Sequence, residues 1–329
     1  MKKNFITSII CILMVSVFMV GCAHQEVIEL KIGDYVQFGK YNDTPILWRV
    51  INIDTDGNPL LFSDRIISLK AFDAAGNYHS NDCRIGCGSN YWKNSNIRQW
   101  LNSDKKANTI NWIQNPPTKE NMFTGYSPYA DEKGFLADGN FTENERNSIN
   151  PIMHKSLLDN IDKDKKDGGE SILTLASDIE EIVQNYDNAY YEMVEDKVFL
   201  LSLKELHDYV WENKNILRKE YYIGKPTKEA VDHSPEKNIN LDCTHNWSNW
   251  LRTPAMTPSG PSFVRMVKSN GSIFDYFACF GGRGGVRPAL FLNSSSIIFK
   301  SGSGVESDPY IVEGVPHNKK NNNFLIVNV

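Results

Sequence analysis

From residue 35 onward, apolar and polar positions alternate in short runs. Tyr35-Val36-Gln37-Phe38-Gly39, the stretch from Ile46 to Ile53, and Pro59-Leu60-Leu61-Phe62-Ser63 carry the period-two pattern of strands. Asp54-Thr55-Asp56-Gly57-Asn58, between the last two, reads as a hairpin turn built on Asp-Gly. The same five residues match the first half of a calcium loop. Pro59-Leu60-Leu61-Phe62 is apolar where the later oxygen ligands would have to stand, so the turn is preferred and calcium is the alternative.

The period changes to a helical one at Asn94 to Asn102. Ser95 or Asn94 can cap this helix, and Ile97, Trp100 and Leu101 share one face. Residues 103–140 read as loop. Thr142 and Glu145 form a capping-box pattern that opens a second helix. Residues 159–169 are charged and end in glycine, which predicts a solvated loop, and Ser177 to Val183 suits another short helix. Asp196 to Ser202 reads as a buried strand. It runs into a second capping box, Ser202 with Glu205, and into a helix carrying Leu203, Leu206, Tyr209 and Val210. Thr227 to Ala230 is polar and compatible with helix.

The last third reads as a strand, a hairpin and a closing strand. Trp250-Leu251-Arg252-Thr253-Pro254 and Gly285-Val286-Arg287-Pro288-Ala289-Leu290-Phe291-Leu292 flank two apolar runs joined by Asn270-Gly271, a strong hairpin signal. Gly281-Gly282-Arg283-Gly284-Gly285 permits a tight turn or a backbone anion nest, the turn being preferred. Residues 302–312 read as a turn leading to an edge strand, followed by a polar tail and a short apolar end.

The N-terminus changes the picture of where the chain works. Lys2-Lys3 precedes an apolar run from Phe5 to Val20, roughly sixteen residues, which is short for a span and suits a signal-peptide core. Met19-Val20-Gly21-Cys22 resembles the bacterial lipoprotein processing motif, with Met19 in place of the usual Leu. Residues 1–21 are therefore expected to be a signal peptide, Cys22 the lipidated mature N-terminus, and residues 22–29 a tether. Several acyl chains on one residue give stable membrane attachment. The remainder is expected to be extracytoplasmic. An uncleaved N-terminal anchor is the alternative.

Composition fits a globular domain on that tether: 41% of residues are hydrophobic and 23% charged. A formal net charge of −5 argues against a nucleic-acid partner, which needs a basic field. Beyond Cys11 and Cys22 four cysteines remain: Cys83, Cys87, Cys243 and Cys279. An even count in an oxidising compartment reads as disulfides with three connectivities, of which Cys83–Cys87 with Cys243–Cys279 is favoured over a zinc site.

Several of these segments, taken together, resemble a bacterial domain family of unknown function. They are Val36 to Tyr41, Ile46 to Val50, Ser95 to Asn102, Phe141 to Glu145, Val198 to Ser202, Trp250 to Pro254 and Gly285 to Leu290. The family's fold resembles C-type lectins and formylglycine-generating (sulfatase-modifying) proteins. The resemblance implies one α+β domain over residues 30–316, with a twisted antiparallel sheet, at least two helices and long loops. A loop-rich insertion would occupy about residues 103–195, and 317–329 would form the tail. Formylglycine-generating enzymes bind copper through a close cysteine pair. Here the matching region holds Cys279 alone, which cannot supply such a site.

No other catalytic set appears. Gly-x-Ser-x-Gly, His-Glu-x-x-His and phosphate-loop motifs are missing, and His24, His79, His154, His207, His233, His245 and His317 lack ligand spacing. No metal site and no catalytic residue is expected. Arg49, Arg252 and Arg287 lie in apolar strand contexts. They are either structural arginines or, with Arg98 and Asn102, the lining of a pocket for an anionic or sugar ligand. Trp48, Trp100 and Trp250 read as core, whereas Tyr91, Trp92 and Trp247 sit in polar surroundings and are either an exposed stacking surface or core. The candidate ligand-binding set is thus Trp92, Arg98, Asn102, Trp247, Arg252 and Arg287. The expected function is non-catalytic binding of a glycan or protein at the cell envelope. The alternatives are an enzyme of unrecognised chemistry and a structural envelope component.

Overall fold

The alternation near residue 35 becomes the first strand pair of a large sheet in the computed structural model, which describes residues 28–123, 127–172, 179–216, 221–234, 241–256, 260–281 and 284–315. The expected signal peptide, Cys22, most of the tether, the tail, and Gly282 and Arg283 of the glycine run lie outside the described residues.

In chain order the strands are β1 (Tyr35–Tyr41), β2 (Thr44–Ile53), β3 (Pro59–Ser63), β4 (Ser68–Leu69), β5 (Ile149–Asn150), β6 (Ile152–Leu157), β7 (Tyr191–Asp196) and β8 (Val198–Leu200). They continue with β9 (Asn249–Pro254), β10 (Phe263–Val267), β11 (Ile273–Phe277), β12 (Gly285–Val286), β13 (Pro288–Leu292), β14 (Ile297–Ser301) and β15 (Tyr310–Gly314). The helices are short: α1 (Asp82–Cys87), α2 (Asn96–Leu101), α3 (Glu143–Asn147), α4 (Ile179–Asn185), α5 (Leu203–Leu206) and α6 (Lys228–Asp232). The architecture is therefore α+β, with several sheets and few helices.

One sheet runs β14-β15-β1-β2-β3-β13-β5, with β8 also paired to β13. A second runs β11-β10-β9-β12-β4, and β6 pairs with β7 in a separate ribbon. Turn chemistry fixes the registers. Asn42 and Asp43 join β1 to β2 with positive φ at both positions, the backbone that matches the twist of a hairpin. Asp54 accepts from the backbone N–H groups of Asp56 (2.9 Å) and Asn58 (2.8 Å), so the residue 54–58 segment closes as a turn between β2 and β3. Gly271, at φ 85°, closes the expected β10–β11 hairpin.

The helix starts are capped as their sequences require. Ser95 caps α2, and reciprocal capping boxes open α3 (Thr142 with Glu145) and α5 (Ser202 with Glu205). The buried faces of both main sheets and of α2 meet in one core. Phe72 lies 5.9 Å from Trp92 and 6.0 Å from Trp250, centroid to centroid.

Four expectations are corrected. The expected closing strand Gly285 to Leu292 is two strands in two different sheets, because the chain crosses between them at Arg287. The last strand, β15, is interior: it pairs parallel with β1 and antiparallel with β14, a strand that hides its alternation in Ile297-Ile298-Phe299. The segment about residues 103–195, expected to be loop-rich, carries β5, β6 and most of β7 besides the expected helices α3 and α4. Within it, Asn160–Lys165 is a 3-10 helix whose Asp162 is buried against Arg84, not a solvated loop.

Candidate functional site

Three of the expected ligand-binding residues converge on one buried carboxylate. Asp196, at the end of β7, is fully buried and accepts from Trp92 Nε1 (2.8 Å), Arg98 Nε (2.6 Å) and Asn102 Nδ2 (3.2 Å). His154 Nε2, on β6, is 2.7 Å from the same carboxylate. Asn102 also accepts from the backbone N–H groups of Lys197 and Val198, so it splices the end of α2 to the β7–β8 turn. Burial lowers the His154 pKa, and the charge of Arg252 lowers it further. Trp92, His154 and Asp196 are buried in this cluster, and Arg98 and Asn102 are half-buried at its edge. Trp92 has no exposed surface, and Arg98 also donates to the carbonyls of Lys93 and Glu195.

Arg252 and Arg287 are likewise committed inside. Arg252, on β9, binds both carboxylate oxygens of Glu205 (2.5 and 2.7 Å) and the carbonyl of Leu200 (2.7 Å). Burial is the largest influence on Glu205 and would raise it, yet the charge and hydrogen bonds of Arg252, with His154 and the Ser202 N–H, together hold the carboxyl below its ordinary range. Glu205 is also the far half of the α5 capping box, so one side chain clamps a helix start to a strand. Arg287 gives its guanidinium to the carbonyls of Ser63, Asp64, Tyr221 and Tyr222, with Phe62 stacked 4.1 Å below it. Trp247 packs with Ile66, Leu69 and Leu241 in a small satellite cluster. As a set, the six candidates hold elements together, and none of them lines the two hollows described below.

The cysteines depart from the expected pairing. No disulfide joins Cys83, Cys87, Cys243 or Cys279. Cys83 and Cys87 lie one turn apart on α1, a spacing that sets Cβ atoms about 5–6 Å apart, wider than the ~3.5–4.5 Å of a bridge. Cys279 is buried beside Cys87, donating its backbone N–H to the Cys87 carbonyl at 2.9 Å. Burial, and then its neighbour Cys87, push the Cys279 thiol up to about 12. Cys243 sits elsewhere, its carbonyl accepting from Arg65 at 3.0 Å.

An open groove lies beside the β1–β2 hairpin, β4 and α6, which none of the sequence candidates line. Two adjoining hollows of about 550 and 630 Å³ share Tyr41, Ile67 and Glu229. Arg65 and Thr227 complete one, and Glu132, Ser68 and His233 the other. Thr227 caps α6, and that helix presents Glu229 to both hollows. Glu132 is fixed by Lys70 Nζ (2.7 and 2.8 Å) and by Tyr41 Oη (3.2 Å). Lys70 is itself buried between the rings of Trp100 and Tyr129. Burial raises the Tyr41 hydroxyl, which stays a neutral donor. Glu229 Oε1 is covered and has no hydrogen-bond partner. His233 Nδ1 lies 3.0 Å from it, but directs its hydrogen bond to the Glu229 backbone carbonyl. Sequence alone could not find this groove, because its walls come from segments far apart in the chain.

His207 is not isolated, contrary to the scattered-histidine reading. Glu180, His207 and Glu212 place one ligand atom each within 4.8 Å of one another, a grouping able to hold a metal ion. Beside it, Trp211 is 38% exposed and stacks on Tyr222 at 4.6 Å.

Residues 56–294 match the family described as Domain of unknown function (DUF6273), and the chain belongs to that family. No curated protein and no solved structure matches it.

Proposed function

We propose that this chain is a lipid-anchored protein of the bacterial cell envelope, held outside the membrane through Cys22, whose lectin-like domain binds a glycan without catalysis. The groove beside α6 is the binding surface. One observation carries the choice of ligand: the Glu229 side chain, carried on α6, lines both hollows of the groove. Sugar hydroxyls are donors that a fixed carboxylate accepts well. Glu132, Ser68 and Tyr41 add further polar groups along the same walls, and Pro45 and Leu47 supply apolar surface for a sugar's C–H face. The short helices, antiparallel hairpins and long irregular segments are compatible with a lectin-like fold.

Glycan-array binding by the chain lacking residues 1–22 tests the reading. Retention of a defined glycan class by the wild type, reduced at least tenfold by Glu229→Gln, is expected. A blank array, or retention indifferent to Glu229→Gln and Arg65→Ala, defeats it, and capture of a protein partner instead would move the ligand class to protein. For the anchor, labelled palmitate is expected to enter the wild type and not Cys22→Ala.

A further inference from the structure

The helix that begins with the Ser202 capping box does not end as an α-helix. After Leu206 it widens, and residues His207–Trp211 form a π-helix closed by the Glu212 N–H on the His207 carbonyl at 2.9 Å. A turn of α-helix would bring residue 211 under His207. The wider turn brings Glu212 there instead, beside Glu180 from α4. Single-turn π segments inside helices are rare and gather at functional positions.

The imidazole is oriented in the manner of a metal ligand. Its Nδ1 is 2.8 Å from Asp208 Oδ1, and Asp208 is held in turn by Lys204 at 2.7 Å. A carboxylate on one ring nitrogen fixes the tautomer and leaves the other nitrogen's lone pair for a metal. That other nitrogen, Nε2, is covered and makes no hydrogen bond, on a side chain only 12% exposed. It stands 3.4 Å from Glu180 Oε1. This is long and misaligned for a hydrogen bond. Two ligands about 2.0 Å from one ion at a tetrahedral angle, however, lie roughly 3.3 Å apart.

We infer that Glu180, His207 and Glu212 form a site for a divalent transition ion of the zinc class, with one imidazole and two carboxylates as protein ligands. Glu180 and Glu212 are exposed, so the remaining coordination positions face water. Asp208 is a positioning residue that acts through His207. The donor set, nitrogen with carboxylate oxygen, favours zinc or a neighbouring transition ion over calcium, which takes oxygen ligands.

Calorimetric titration of the untagged chain with Zn2+, together with the visible spectrum of the Co2+ form, tests the site. One ion per chain and a tetrahedral-type Co2+ spectrum are expected. His207→Ala should abolish that binding step, and Glu180→Gln and Glu212→Gln should each weaken it tenfold or more. Asp208→Asn should weaken it within the ~10–100-fold range typical of such supporting carboxylates. Each variant's metal-free circular dichroism and melting midpoint should match the wild type, which separates loss of a ligand from loss of the fold. No Zn2+ binding by a folded wild type overturns the assignment and leaves an imidazole–carboxylate ion pair. So does binding that persists unchanged in His207→Ala, since the ion would then lie elsewhere.

Discussion

The indole N–H of Trp92 is bonded at 2.8 Å to Asp196 Oδ2, and neither side chain reaches solvent. An aromatic whose polar neighbours left core and stacking surface equally open is fastened at its polar end inside the core. Asp196 receives Arg98, Asn102 and His154 as well, so four side chains from three separate segments depend on one carboxylate.

Removing that carboxylate is expected to destabilise the fold severely. Asp196→Ala strands several buried donors at once, each costing ~1–3 kcal/mol, and a total loss of about 3–5 kcal/mol is expected. Urea denaturation measures it. Asp196→Asn keeps one acceptor and should cost clearly less. A loss below about 1 kcal/mol for Asp196→Ala would show that the cluster contributes little.

The Arg252–Glu205 clamp should behave as a buried ion pair. Arg252→Met leaves the Glu205 charge buried without its partner and is expected to cost about 3–5 kcal/mol. Adding Glu205→Gln to that variant should recover part of the loss, because the stranded charge is gone. A double-mutant cycle in guanidinium chloride reads the coupling, and strict additivity would contradict it.

His154 should make the protein acid-sensitive. Its folded pKa is depressed by burial and by Arg252, below the ordinary ~6.5 of an unfolded chain. The unfolded state therefore binds the proton first. The stability from this group is fully present above about pH 6.5 and is lost as pH falls through the window between the two values. His154→Gln should flatten the change in urea midpoint between pH 7.5 and 5.5. An unchanged slope would place the acid sensitivity in other groups.

At the β10–β11 turn, Gly271 holds φ 85°, a conformation that a β-branched residue resists. Gly271→Val is expected to cost roughly 1–3 kcal/mol in a thermal melt, whereas Gly271→Asn should cost much less. Equal melting points for the two variants would mean that the turn relaxes freely.

Local chemistry was readable in the chain itself. Asn270-Gly271, the Asp54 turn and the capping boxes at Thr142 and Ser202 each depend on residues within a few positions, and the structure places each as its pattern requires. What depended on distant partners was not. Arg98, Arg252 and Arg287 look alike in sequence whether they face a ligand or a carbonyl, and Asp196 carries no local mark of its four partners. Strand β6 lacks an apolar alternation to mark it, because its buried positions include the polar His154 and Ser156 while Met153 is exposed. The groove and the Glu180–His207–Glu212 grouping assemble residues from separate segments, and His207 meets Glu212 only through a local widening of the helix that no periodicity announces.

Arg287 sits where the chain leaves the smaller sheet and enters the larger one, and its guanidinium grips four carbonyls belonging to the exit of β3 and to Tyr221 and Tyr222. A rivet at the single residue between β12 and β13 is expected to couple the two sheets. Slow amide exchange in β3 and in β9 should accordingly share one opening free energy, and the molecule should melt as a single cooperative unit, not layer by layer.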